Sequence, residues 1–124
     1  MTIIEAITRL DVLKANAYTQ HEKVEWLSRL DNMVKKHIID THECDENVIF
    51  TGYDDTTDNS TELLVPAPFD EVYLRWMEAQ IDYHNGEYSK YNNSIIMFNT
   101  AFEAYQAYYN RTNKPVSHGN RFVF

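Results

Sequence analysis

The strongest constraint on this chain is a stripe of apolar and aromatic side chains in its C-terminal half. Met77, Ile81, His84, Tyr88, Tyr91, Ile95, Phe98, Phe102, Tyr105 and Tyr109 follow one another at alternating intervals of four and three. That is heptad spacing, which puts them all on one helical face and asks for a facing helix to cover it. A single helix carrying the whole stripe would run about 60 Å, too long for a compact domain of 124 residues. The stripe is therefore expected to fold back as two helices. The break falls between Asn85 and Ser94, where Asn85-Gly86 and Asn92-Asn93-Ser94 both interrupt a helix.

Upstream, Thr2 with Glu5 and Thr19 with Glu22 have the spacing of capping boxes, each just ahead of an apolar periodic run. The first predicts a short helix carrying Ile3, Ile4, Ile7 and Leu10, followed by a linker from Asp11 to Tyr18. The second predicts a helix from Gln20 to about Asp40, with Val24, Leu27, Leu30 or Asp31, Val34 and Ile38 recurring at helical spacing. Val48-Ile49-Phe50 and Leu63-Leu64-Val65 are β-prone runs separated by a polar loop, so a small hairpin or a loose extended excursion are both open there. Pro68 with Asp70 and Glu71 marks the start of the next helix. The fold class expected is mainly α: a small bundle of about four helices within residues 1–110. A β-hairpin-like or extended excursion occupies residues 43–66, and an extended tail residues 111–124.

Charge narrows the function classes. The formal net charge is −8, which argues against a broad face that grips nucleic-acid phosphates. The acids cluster: Glu43, Asp45, Glu46, Asp54, Asp55, Asp58 and Glu62 lie in a stretch with no Lys or Arg, whereas residues 111–124 hold Arg111, Lys114 and Arg121 and no acid. A lone cysteine, Cys44, leaves no intrachain disulfide and no thiolate cage. No apolar run approaches the ~20 residues of a membrane span, and the N-terminus has no signal-peptide pattern. The chain reads as soluble and intracellular.

The candidates for chemistry are thin. His37, His42 and Cys44 lie close together but are one strong ligand short of a metal site. The acidic run from Asp54 to Glu62 lacks the sixth-position glycine of a calcium loop. Asp82 and Glu87 read as surface residues near the helix break, and His84 as a partly buried, hydrogen-bonded member of the seam. No nucleophile elbow, P-loop or zinc-protease motif occurs. Neither an enzyme nor a cofactor is expected. The end of the chain is more telling: Pro115 and Gly119 rule out a core, yet Arg121-Phe122-Val123-Phe124 alternates like a strand that adds to another protein's edge or groove.

The stretch Leu63-Leu64-Val65-Pro66-Ala67-Pro68-Phe69-Asp70-Glu71-Val72-Tyr73 resembles small structural proteins of tailed bacteriophages and prophages of Gram-positive bacteria. So do Ile81-Asp82-Tyr83-His84-Asn85-Gly86-Glu87, Lys90-Tyr91-Asn92-Asn93-Ser94, Met97-Phe98-Asn99 and Tyr108-Tyr109-Asn110-Arg111-Thr112. These proteins are similar in turn to the head–tail connector, or head-completion and adaptor, class. The resemblance implies a mainly helical subunit that forms a ring of about twelve copies under the portal; contacts that are weak singly are compatible with a monomer when free, and the state of the free chain stays open. It implies a docking tail, here Lys114, Pro115, Arg121, Phe122, Val123 and Phe124. The heptad spacing itself gives the packing seam (Met77, Ile81, Tyr88, Tyr91, Ile95, Phe98, Phe102, Tyr105, Tyr109), and the resemblance adds an acidic segment facing the DNA lumen or a neighbour (Asp54, Asp55, Asp58, Glu62). The implied partners are the portal protein, a neck or tail-completion protein and other copies of the chain. DNA would pass without tight binding, no membrane would be involved, and the locations would be the host cytoplasm and then the virion. The alternative is a non-enzymatic acidic phage accessory that binds a host protein.

Overall fold

The computed structural model describes residues 1–39 and 50–112. It is mainly helical, with α1 (Ile3–Leu13), α2 (Gln20–His37), α3 (Glu71–His84) and α4 (Tyr88–Thr112). Both capping boxes form. The Thr2 hydroxyl accepts the Glu5 N–H while the Thr2 N–H donates to the Glu5 carboxylate, and Thr19 and Glu22 repeat the exchange. Two helix ends differ from the sequence reading. The expected linker is helical as far as Leu13, so Val12 and Leu13 lie on a helix surface, and α2 stops at His37 with Ile38 as its C-cap. Lys35, Lys36 and His37 fill the last turn of α2, where the helix dipole favours cations.

The fold-back comes at the first of the two candidate breaks. Gly86, at φ +76°, ends α3. Its N–H donates to the Tyr83 carbonyl at 3.0 Å, and the Glu87 N–H donates to the Asp82 carbonyl at 2.9 Å. This is the paired bonding of a Schellman cap, and its left-handed residue suits glycine. Asn92-Asn93-Ser94 does not break the chain; it lies within α4. Ring contacts give the direction of the return. Phe69 meets Tyr105 and Tyr108, Trp76 meets Phe98, and Tyr83 meets Tyr88 and Tyr91. Numbers rise on α3 as they fall on α4, so the pair is antiparallel.

α3 is the hub of the bundle. It packs against each of the other helices and α1 also touches α2, whereas α4 meets neither α1 nor α2 among the described residues. The core is built from Ile3, Ala6, Ile7 and Leu10 of α1, Val24, Leu27, Leu30 and Val34 of α2, and Val72, Tyr73, Met77 and Ile81 of α3. α4 adds only Phe98 and Tyr105 to the fully buried set. It is the longest helix and packs on one side only.

The middle segment is irregular over its described residues, 50–66. No strand occurs among the described residues, and Val48 and Ile49 lie outside them. An isolated antiparallel bridge pairs Thr2 with Glu62. The Thr61 and Asn59 carbonyls accept the N–H groups of Ile3 and Ile4, and the Leu63 N–H donates to the Met1 carbonyl. The excursion thus serves the first turn of α1, whose N–H groups have no partner within the helix.

Candidate functional site

Residues that carry charge inside the bundle are the first place to look for chemistry. Asp31 sits in the middle of α2, fully buried. Its carboxylate accepts from the Tyr73 hydroxyl at 2.6 Å, from the Tyr53 hydroxyl, and from the Leu64 N–H at 3.1 Å. The Tyr73 hydroxyl in turn accepts the Val65 N–H at 2.7 Å. One carboxylate therefore fastens α2, α3 and both ends of the stretch from Tyr53 to Leu64. Burial raises the pKa of Asp31, against the lowering effect of its three donors. Burial and the adjoining Asp31 charge push both phenols above the ordinary tyrosine range. Both oxygens of the carboxylate are taken up by donors from the chain itself, and these bonds hold the fold together.

Two more pairs follow the same logic. Asp82 was expected at the surface with Glu87, but it is buried on α3 between Lys14, which caps the end of α1, and Ser94 of α4. Lys14 Nζ lies 2.5 Å from Oδ1, and the Ser94 hydroxyl donates to Oδ2 at 2.5 Å. The lysine supplies charge to Oδ1 without an aligned hydrogen bond. Glu87 stays at the surface and pairs with Lys90. Lys23 of α2 is buried with its ammonium 2.7 Å from Asp11, a contact that holds the Asp11 carboxyl below its usual range. His84 is exposed and faces α2, stacked on Trp26 at 5.7 Å with ring planes 9° apart. Among the described residues no group of three or more His, Cys, Asp or Glu gathers as a metal site would require. His42 and Cys44 lie outside the described residues.

The acidic candidates are spread along the excursion and do not converge. Asp54 accepts the Thr56 N–H and hydroxyl, and Asp58 accepts the Ser60 N–H and hydroxyl. These local bonds lower both carboxyl pKa values. Asp55 lies 2.7 Å from the His21 ring and raises that imidazole's pKa. Glu62 is largely exposed and lies 3.2 Å from the Met1 nitrogen. They form a hydrogen-bonded acidic rim.

The seam residues part company across the turn. Met77, Ile81, Phe98 and Tyr105 are buried, and burial pushes the Tyr105 phenol up to about 12. Tyr91, Ile95, Phe102 and Tyr109 are half-buried, and Tyr88 is exposed. What faces the α4 rings is a different row at heptad spacing: Phe69, just ahead of α3, with Trp76 and Tyr83 of α3. Sequence reasoning missed it because all of these residues sit beside a stronger stripe. The opposite side of α4 is open. Ile96 and Met97 are 61% and 48% exposed, and the charged residues on the entire helix are Lys90, Glu103 and Arg111. Lys114, Pro115, Arg121, Phe122, Val123 and Phe124 lie outside the described residues.

Sequence reasoning also missed Asp31 as an anchor and Val12 with Leu13 as a surface. The first had a signal, an acid set between Leu27, Leu30 and Val34 on an apolar face. No helix of the described residues is long and apolar enough to cross a membrane. No protein-family model, curated protein or solved structure matches the chain.

Proposed function

We propose that this chain is a non-enzymatic structural subunit of a tailed-phage virion: a head–tail connector that forms a ring under the portal and joins the DNA-filled head to the tail. The observation that carries the reading is the one-sided packing of α4. A 25-residue helix offers solvent a face with exposed Ile96 and Met97 and few charges, on a protein that is otherwise strongly acidic. Buried acids and bases are meanwhile consumed in holding the helices together. In a ring the α4 face of one subunit meets a different face of the next, a heterologous contact that closes by rotation. Each contact is weak alone, and repetition round the ring supplies avidity.

The other roles follow the resemblance stated above. The tail from Lys114 to Phe124 docks on the portal, and the excursion meets a neck or tail-completion protein. The rim of Asp54, Asp55, Asp58 and Glu62 lets DNA pass by like-charge repulsion. The chain acts in the virion after assembly in the host cytoplasm. The test is composition and function of particles. Purified virions should contain the chain, and removal of residues 114–124 should leave filled heads unjoined to tails. A chain absent from virions overturns the reading; unchanged infectious yield after truncation overturns the docking role.

A further inference from the structure

A second open apolar face lies on α1. Val12 is 82% exposed and Leu13 61%. With Thr8, Arg9 and Leu74 of α3 they line a shallow, open depression of about 260 Å³. Nothing among the described residues covers it, because α1 and α4 both pack on α3 without touching each other. One subunit therefore presents the α1 and α4 faces at the same time.

We propose, building on the ring reading above, that the α1 face receives the outer side of α4 from a second copy of the chain. The apolar centres match: Ile96 and Met97 on one side, Val12 and Leu13 on the other, all exposed. Charge selects the partner and its direction. Arg9 is exposed and has no ion-pair partner among the described residues. Its field acts weakly on Glu5, whose carboxylate is itself held at the helix cap by the Thr2 N–H. Glu103 is likewise exposed and without an ion-pair partner among the described residues. It lies seven residues beyond Ile96, so it shares the outer face of α4, about 10 Å further along the axis. Arg9 precedes Val12 and Leu13 by three to four residues, about 5 Å along α1.

Set the two helices antiparallel, with Ile96 and Met97 on Val12 and Leu13, and Arg9 and Glu103 fall on the same side of the apolar centre. Side chains lean toward the N-terminus of their own helix, so the guanidinium and the carboxylate approach each other across the remaining ~5 Å. Set parallel, Glu103 falls past Leu13, beyond the end of α1. An exposed pair of this kind fixes register more than it adds affinity. A helix as short as α1 keeps the contact at the weak end of protein interfaces, which suits a ring joined by repetition. The contact also propagates from copy to copy, where α4 against α4 would stop at a dimer.

The test is sedimentation of full-length variants blocked on one face each. Val12→Asp closes the α1 face, and Ile96→Glu with Met97→Glu closes the α4 face; all three side chains are exposed, so melting temperatures should stay close to that of the natural chain. Each variant alone should be monomeric at about 1 mM, where the natural chain associates, and an equimolar mixture should give a one-to-one dimer and nothing larger. A Val12→Asp chain that still dimerises alone overturns the proposal, because α4 then meets α4. So does a mixture, or a natural chain, that stays monomeric at that concentration. Arg9→Glu should weaken association about five-fold, and adding Glu103→Arg to the same chain should restore it; no recovery in the double variant overturns the antiparallel register. Absence of the chain from virions would end the connector reading and leave these results standing, whereas a monomeric mixture from a chain found in virions would end this contact alone.

Discussion

Asp31 shows how one side chain can decide whether a loop belongs to the fold. Its carboxylate takes donors from Tyr53, Leu64 and Tyr73, which lie far away in sequence, and no apolar residue could satisfy them. Asp31→Ala strands those donors and opens a cavity, so chemical denaturation should register a loss of about 3 kcal/mol or more. Asp31→Asn keeps one acceptor oxygen but turns an amide N–H₂ toward groups that are themselves donors. Its cost at neutral pH is smaller, about 1–2 kcal/mol. The pH dependence has a definite sign. Burial raises the folded-state pKa of Asp31, so its contribution is fully present below the unfolded value of about 3.9 and is lost as pH rises through the folded value. Asp11, Asp54 and Asp58 work the opposite way: their lowered pKa values contribute stability above the unfolded value that is lost as pH falls through the folded one. Subtracting the Asp31→Asn unfolding free energy from that of the natural chain cancels those groups. The difference should shrink steadily as pH is raised from about 4; a flat difference would mean that Asp31 titrates as an ordinary carboxylate.

The elements were legible in proportion to how local their causes are. Capping boxes and the Asn85-Gly86 stop act within a few residues, and each stands in the structure where the spacing places it. The packing partner of α4 was not legible, because Phe69, Trp76 and Tyr83 interleave with a longer stripe and only the fold-back selects between them. The burial of Asp82 escaped notice for a similar reason: Lys14 caps the end of α1 and Ser94 belongs to α4. That triad predicts an asymmetry. Lys14→Met leaves a buried carboxylate without its counter-charge and should cost about 2–3 kcal/mol, whereas Asp82→Asn still accepts the Ser94 hydroxyl and should cost less, about 1 kcal/mol. Urea titrations of the two variants would decide it, and an Asp82→Asn loss equal to or above that of Lys14→Met would contradict it. The glycines give a second comparison. A Cβ at Gly86 meets open space, so Gly86→Ala pays only for its left-handed backbone, about 1 kcal/mol. At Gly52 the φ is +102° and a Cβ would lie 2.7 Å from the Ser28 hydroxyl oxygen. That hydroxyl accepts the Tyr53 N–H, so Gly52→Ala should be the more damaging change in thermal melts and should loosen the excursion from α2.

On the scale of the whole molecule, charge and packing pull in different directions, and the balance is testable. Copies carrying −8 each repel one another over most of their surface, and that repulsion is screened within about 8–10 Å at ordinary salt. The outer side of α4 is where a neighbouring copy would dock at the least electrostatic cost, since Lys90 and Arg111 outnumber Glu103 there. An interface built on Ile96 and Met97 is apolar at its centre, so salt should strengthen it by screening the surrounding repulsion. Sedimentation of the natural chain should accordingly show self-association that grows with concentration and with added salt. Ile96→Glu with Met97→Glu puts two negative charges on the α4 side of every contact, against a neighbour that is itself acidic, and should leave the chain monomeric at all salt concentrations. Because both side chains are exposed, the variant should melt within about 0.5 kcal/mol of the natural chain, which separates loss of assembly from loss of fold. Association that weakens with salt would instead point to ion pairs as the glue. The contact would then lie on the acidic excursion or on the basic residues near the end of the chain, and the α4 face would be free for another partner.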